Sequence, residues 1–74
     1  MAIDVEVFGQ LLPDQPRRRS MDVEEPKTAR ELSESIGLHA EEIGLVMIDG
    51  VQSSLDAQVK SGSRLCFFPY VTGG

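Results

Sequence analysis

The chain has 74 residues, of which 41% are hydrophobic and 26% charged, which allows one small globular domain and excludes a two-domain enzyme. A domain this size buries roughly 60% of the surface its unfolded chain exposes, so nearly every aliphatic side chain belongs in the core and a deep substrate cleft would remove too much of it. Seven Lys and Arg against twelve Asp and Glu give a net charge of −5, which disfavours non-specific nucleic-acid binding and favours a partner with a basic docking surface.

The opening residues, Met1 to Val7, have neither the basic start nor the apolar run of a signal peptide. No stretch approaches the ~18 consecutive apolar residues of a membrane span. Cys66 is the single cysteine, so an internal disulfide is impossible and a cytoplasmic setting is expected.

Ile3, Val5 and Val7 alternate with Asp4, Glu6 and Phe8, the period of a half-buried strand, predicted over residues 2–8. Pro13, Asp14 and Pro16 mark a loop. Met21 and Val23 alternate again in a second strand near residues 19–24, and the two strands are expected to pair as a hairpin.

Thr28 and Glu31 stand at capping-box spacing, where each side chain satisfies the other residue's free N–H. They open a predicted helix of about ten residues, with Ala29, Leu32 and Ile36 on one face. Gly37 follows as a left-handed stop, with Leu38 placed to fold back onto that face.

Leu45, Val46, Met47 and Ile48 run into Asp49-Gly50, a dipeptide suited to a tight hairpin turn, with Val51 to Ser53 as the partner strand. Leu55 and Val59 are expected to plug the core from a loop or helical turn. Ser61, Gly62 and Ser63 turn the chain into a last strand over residues 64–68, ended by Pro69. The order is β-β-α-β-β-β, with one helix covering one face of a sheet.

Five residues, Tyr70 to Gly74, have no place in that core, and they end in Gly73-Gly74. An extended tail of five residues reaches roughly 17 Å, and residues without side chains can thread a channel too narrow for any other. The α-carboxylate of Gly74 is a poor electrophile until a leaving group is attached, so an ATP-using partner would have to adenylate it.

The early Phe8-Gly9, the Asp49-Gly50 turn and above all the ending Phe67-Phe68-Pro69-Tyr70-Val71-Thr72-Gly73-Gly74 resemble the small sulfur-carrier subunit of molybdopterin synthase, a ubiquitin-like sulfur carrier family. The resemblance covers the whole chain. It implies an α+β ubiquitin-like β-grasp fold: a mixed sheet of about five strands, one main helix packed on one face, and a flexible C-terminal Gly-Gly tail. The β-grasp domain would span residues 1–69 and the reactive tail residues 70–74.

By the same resemblance, Gly74 would be adenylated by a ubiquitin-activating-type adenylyltransferase that uses ATP. A sulfur donor protein would convert it to a thiocarboxylate for delivery into a pterin precursor held by a larger synthase subunit. The chain would bind no cofactor of its own and act as a co-substrate rather than an enzyme. Tyr70 stands where many relatives have a second proline, and thiamin, tungsten-cofactor and amino-acid pathways use similar carriers, so the acceptor stays open. Two other readings stay open too: a protein modifier joined through Gly74 to lysine, and an interaction module without covalent chemistry.

Strand periodicity adds a docking surface. If Leu65 and Phe67 face the helix, then Arg64, Cys66 and Phe68 face away, as do Met47 and Phe8. With the last strand between the first and third, as the resemblance implies, Phe8, Met47, Cys66 and Phe68 form an apolar patch on the open face, the kind of surface that marks a partner site. Phe8, Met47 and Phe68, together with Pro69, Tyr70, Val71 and Thr72 of the tail, are the expected partner-binding residues, and Gly73 and Gly74 the reactive end. His39 is expected as a solvated loop residue, and one Cys with one His cannot make a structural zinc site. Glu24, Glu25, Glu41 and Glu42 are expected as solvated charge, and Arg17, Arg18 and Arg19 as solubilising charges of a loop.

Overall fold

A computed structural model describes residues 2–70. Alternation decides which way each strand faces. In β1 (Ala2–Val7) Ile3, Val5 and Val7 are buried while Ala2 and Asp4 are exposed. In β7 (Arg64–Pro69) Leu65 and Phe67 are fully buried and Arg64 is exposed. These strands pair in parallel, Val5 opposite Leu65 and Val7 opposite Phe67.

Around them the main sheet takes the order β2-β1-β7-β4-β5, with β2 spanning Arg18–Asp22, β4 Ile43–Ile48 and β5 Val51–Ser53. β2 is antiparallel to β1, and β4 is antiparallel to both β5 and β7. The five strands expected from the sequence form this sheet, and the last strand sits between the first and third.

Helix α1 (Ala29–Ser35) covers one face, burying Ala29 and Leu32, with Ile36 at its C-cap buried beside them. Its N-terminus has the full capping box: Glu31 N–H donates to Thr28 Oγ1 at 3.1 Å and Thr28 N–H to Glu31 Oε1 at 2.9 Å. The other two first-turn amides, of Ala29 and Arg30, donate to the carbonyls of Ala57 and Leu55 at 3.0 and 2.8 Å. At the other end Gly37 takes φ +88°, and the Gly37 and Leu38 amides donate to Glu34 and Ser33 carbonyls at 3.1 and 2.9 Å. This paired pattern is a Schellman stop, and Leu38 folds back to full burial as expected.

Several expectations need correction. The strand reading ended β1 at Phe8 and placed the second strand at 19–24; they span Ala2–Val7 and Arg18–Asp22. The α-helix is shorter than the expected ten residues, because its caps, Thr28 and Ile36, take non-helical angles. Val59 reaches the core from a two-residue strand, β6 (Gln58–Val59), paired with β3 (Lys27–Thr28), and not from a loop or helical turn. A 3-10 turn at Ala40–Glu42 precedes β4.

β4 begins two residues earlier than expected and carries a bulge: Ile43 faces Pro69 and Leu45 faces Phe68, so Gly44 is extra. The bulge lets Ile43 and Val46 both enter the core while Leu45 and Met47 share the opposite face. At the hairpin Asp49 and Gly50 both take positive φ, +52° and +81°, as the expected tight turn requires. Of the basic triplet, Arg18 and Arg19 lie in β2 rather than in a loop, while Arg17 lies just before it and donates to the Gly9 carbonyl at 3.0 Å. Residues 71–74, and with them most of the expected tail, lie outside the described residues.

The capping box holds the Glu31 carboxyl below its ordinary value of 4.5, chiefly through the Thr28 backbone hydrogen bond. A folded-state value below the unfolded one adds stability above the unfolded value, and that stability is lost as pH falls through the folded value. Thermal unfolding of Thr28→Ala is expected to show a loss of about 1 kcal/mol. A Glu31→Gln variant should lose less stability than wild type on acidification, and an acid dependence identical to wild type would exclude this role for the carboxylate.

Candidate docking face and tail base

The face of the sheet away from α1 is built by the outward positions of β1, β7 and β4. Phe8, just beyond β1, stays in register with β7 because its N–H donates to the Phe67 carbonyl at 3.0 Å. Its ring stacks on Phe68, with centroids 4.4 Å apart and planes 6° from parallel. Leu45 pairs with Phe68 from the other side, and Met47 with Cys66. All five side chains are half-buried, so the patch is packed enough to hold its shape and open enough to receive a partner. The four residues expected there, Phe8, Met47, Cys66 and Phe68, are brought together. Leu45 was not assigned to it, although its place next to inward Val46 was signal enough.

Charge borders the apolar rows. Glu6, opposite Cys66 in the β1–β7 ladder, has only 17% of its side chain exposed and lies 3.8 Å from Arg18. It also pairs with Arg64, whose guanidinium is held further toward the charged form, first by that hydrogen bond. Asp4, Glu6, Arg18, Ser20 and Arg64 line a depression of about 250 Å³. Alternation places Arg64 on the same face as Cys66 but does not name its partner; in the structure Glu6 is the first partner of that cation.

β7 leads directly to the tail. Pro69 is half-buried and Tyr70 is 60% exposed. Two glycines press on this exit. A Cβ on Gly9 would lie 2.6 Å from Pro69 Cγ, and one on Gly44 would lie 2.7 Å from Tyr70 Cα and 2.8 Å from Tyr70 N and the Pro69 carbonyl oxygen. Neither glycine was singled out for this from the sequence, because the contacts depend on the bulge and on the left-handed turn at Gly9. The expected partner and reactive residues Val71, Thr72, Gly73 and Gly74 lie outside the described residues.

Elsewhere, His39 is exposed ahead of the 3-10 turn, and Glu24, Glu25, Glu41 and Glu42 are exposed. Among the described residues no group of three or more His, Cys, Asp or Glu side chains could hold a metal ion, and no helix is long and apolar enough to cross a membrane.

A mixed sheet with its last strand at the centre, one helix on one face and an apolar patch at the chain exit on the other define a ubiquitin-like β-grasp domain. The chain belongs to the Mut7-C ubiquitin family, whose model matches residues 2–73. Among solved structures it is similar to SAMP1 from Haloferax volcanii, at 22% identity and TM-score 0.74 over 100% of both chains. A putative molybdopterin converting factor subunit 1 from Pyrococcus furiosus matches at 22% identity and TM-score 0.68, over 95% of this chain and 98% of that one. A complex of subunits 1 and 2 of molybdopterin-converting factor from Helicobacter pylori contains a chain that matches at 19% identity and TM-score 0.65 over 100% of both. No curated protein sequence matches. The β-grasp fold and the ubiquitin-like family inferred from the sequence are thus borne out.

The two faces of β7 respond differently to substitution. Leu65→Ala, in the core, is expected to cost about 2–5 kcal/mol. Phe68→Asp should leave the fold cooperative while weakening partner binding by about 2 kcal/mol or more, as for an aromatic anchor. Thermal unfolding of both variants checks this, and global unfolding of Phe68→Asp would place that ring in the core.

Proposed function

We propose that the chain is a sulfur carrier in the manner of the small subunit of molybdopterin synthase, presenting Gly74, as encoded terminus or after processing, to two successive partners. The carboxylate of Gly74 attacks the α-phosphorus of ATP on a ubiquitin-activating-type enzyme, releasing pyrophosphate and leaving an acyl-adenylate. Sulfur at the oxidation level of hydrosulfide, supplied by a donor protein, displaces AMP to give the thiocarboxylate. A larger synthase subunit then receives the tail and transfers the sulfur to a pterin precursor. The catalytic groups belong to the partners, and the chain acts as a co-substrate in the cytoplasm.

The observation that carries this reading is the stacked Phe8–Phe68 pair, with Leu45 and Met47 beside it, at the point where β7 runs into the Tyr-Val-Thr-Gly-Gly segment. A partner gripping that patch holds the emerging chain at a fixed place. The complex of two subunits in the Helicobacter pylori protein supports a larger subunit as one such partner.

The test is mass spectrometry of the protein recovered from its host. The proposal expects a species with one oxygen replaced by sulfur; high-mass conjugates alone would make the chain a protein modifier, and neither species an interaction module. Deleting Gly74 is expected to abolish adenylation with an unchanged melting temperature.

Cys66→Ser is expected to acquire and transfer sulfur at near-normal rates, because Cys66 sits on a central strand eight residues before Gly74. A Cys66→Ser protein that binds its partners normally but acquires no sulfur would assign the thiol a chemical role.

A further inference from the structure

The described glycines divide into two kinds. Gly37, Gly50 and Gly62 have φ of +88°, +81° and +82°, and a Cβ on any of them would meet nothing within 4 Å. Their requirement is conformational: a left-handed backbone that side chains rarely adopt. Gly44 is the opposite case, with no left-handed angle and with three backbone atoms of Pro69 and Tyr70 at 2.7 to 2.8 Å from its missing Cβ. Its requirement is space alone. Gly9 combines both, with φ +65° and the Pro69 ring 2.6 Å from its missing Cβ.

The two crowded glycines thus converge on the same pair of residues from neighbouring elements, the turn after β1 and the bulge of β4. The bulge is what brings Gly44 there, since it is the extra residue between the pairs Ile43–Pro69 and Leu45–Phe68. Pro69 adds rigidity, because its ring fixes φ. Backbone on one side and a closed ring on the other leave little freedom to move aside.

We propose that Gly9 and Gly44 are positioning residues, two walls without side chains that form a slot for Pro69 and Tyr70 and fix the direction in which the chain leaves the sheet. The proposal rests on the carrier reading for its consequence: a partner docked on the Phe8–Phe68 patch would meet the chain at Tyr70 in one place and one direction. Neither glycine touches the reacting atoms. Filling the slot moves the pivot of the tail, and displacements near 1 Å at a reacting group cost on the order of a hundredfold in rate.

The experiment compares Gly44→Ala and Gly9→Ala with Gly62→Ala, which adds a methyl in open space at the far end of β7 and reports the effect of lost stability alone. Residual dipolar couplings of the Tyr70 amide in the free protein are read first. They should change in Gly44→Ala and Gly9→Ala, with the couplings of β1 and the rest of β7 preserved, and stay as in wild type in Gly62→Ala.

Steady-state adenylation by the activating enzyme is read second. The slot variants should lose on the order of tenfold or more in kcat with KM for the carrier within about twofold, because the docking patch is untouched. Gly62→Ala should keep both constants. If Gly44→Ala does not fold, Gly9→Ala read against Gly62→Ala decides, since both carry left-handed strain and only one fills the slot. An unchanged Tyr70 coupling, or a kcat loss no greater than that of Gly62→Ala, overturns the proposal. Failure of the wild-type chain to be adenylated by any activating enzyme would instead overturn the carrier reading, and the couplings alone would then decide the slot.

Discussion

Hydrogen bonding on both edges of β7 is the constraint from which the rest of the molecule follows. The strand is parallel to β1 and antiparallel to β4, so it cannot slip without breaking two ladders. Because side chains of a strand alternate, that fixed register assigns Leu65 and Phe67 to the core and Cys66 and Phe68 to the open face. A slip of one residue would bury Phe68, expose Phe67 and carry the exit of the chain with it. The packing of the core and the make-up of the open face are therefore set by one register.

The charges near the patch follow the same geometry. Glu6 is carried outward by β1 and Arg64 by β7, and the ladder brings them to neighbouring positions next to Cys66. Exposed ion pairs contribute little to stability. Here the pairing instead keeps a cation and a carboxylate matched beside an apolar surface. The β4–β5 turn is tied to the same strand: the Asp49 carboxylate accepts from the Arg64 N–H at 2.9 Å, and the Asp49 N–H donates to the Arg64 carbonyl at 2.9 Å. The start of β7 is clamped by a turn and its end by two glycines.

What the sequence disclosed was whatever depends on local rules. The alternation in β1, the capping box at Thr28 and Glu31, the Gly37 stop and the Asp49-Gly50 turn are each written in adjacent residues, and each is present. The two-residue bridge between β3 and β6 was hidden because Lys27–Thr28 and Gln58–Val59 are too short to show a period. The bulge was hidden because Ile-Gly-Leu-Val-Met-Ile suits several registers, and only the match to Pro69 and Phe68 selects one. The patch was legible in four residues because alternation sets which side chains point outward and the strand order implied by the resemblance makes them neighbours. The crowding at Gly9 and Gly44 was not, since it arises between segments distant in sequence.

The parallel pairing of β1 with β7 joins segments far apart in sequence, Asp4 facing Arg64. During synthesis from the N-terminus, β1 can pair with β2 early, but its other edge and the buried positions opposite Leu65 and Phe67 wait until the final strand has emerged. Such distant pairings form late and slowly. The central strand and the outward row it carries are thus made in the same event, so a chain cut short before β7 lacks the Phe8–Phe68 stack as well as the core contacts of Leu65 and Phe67.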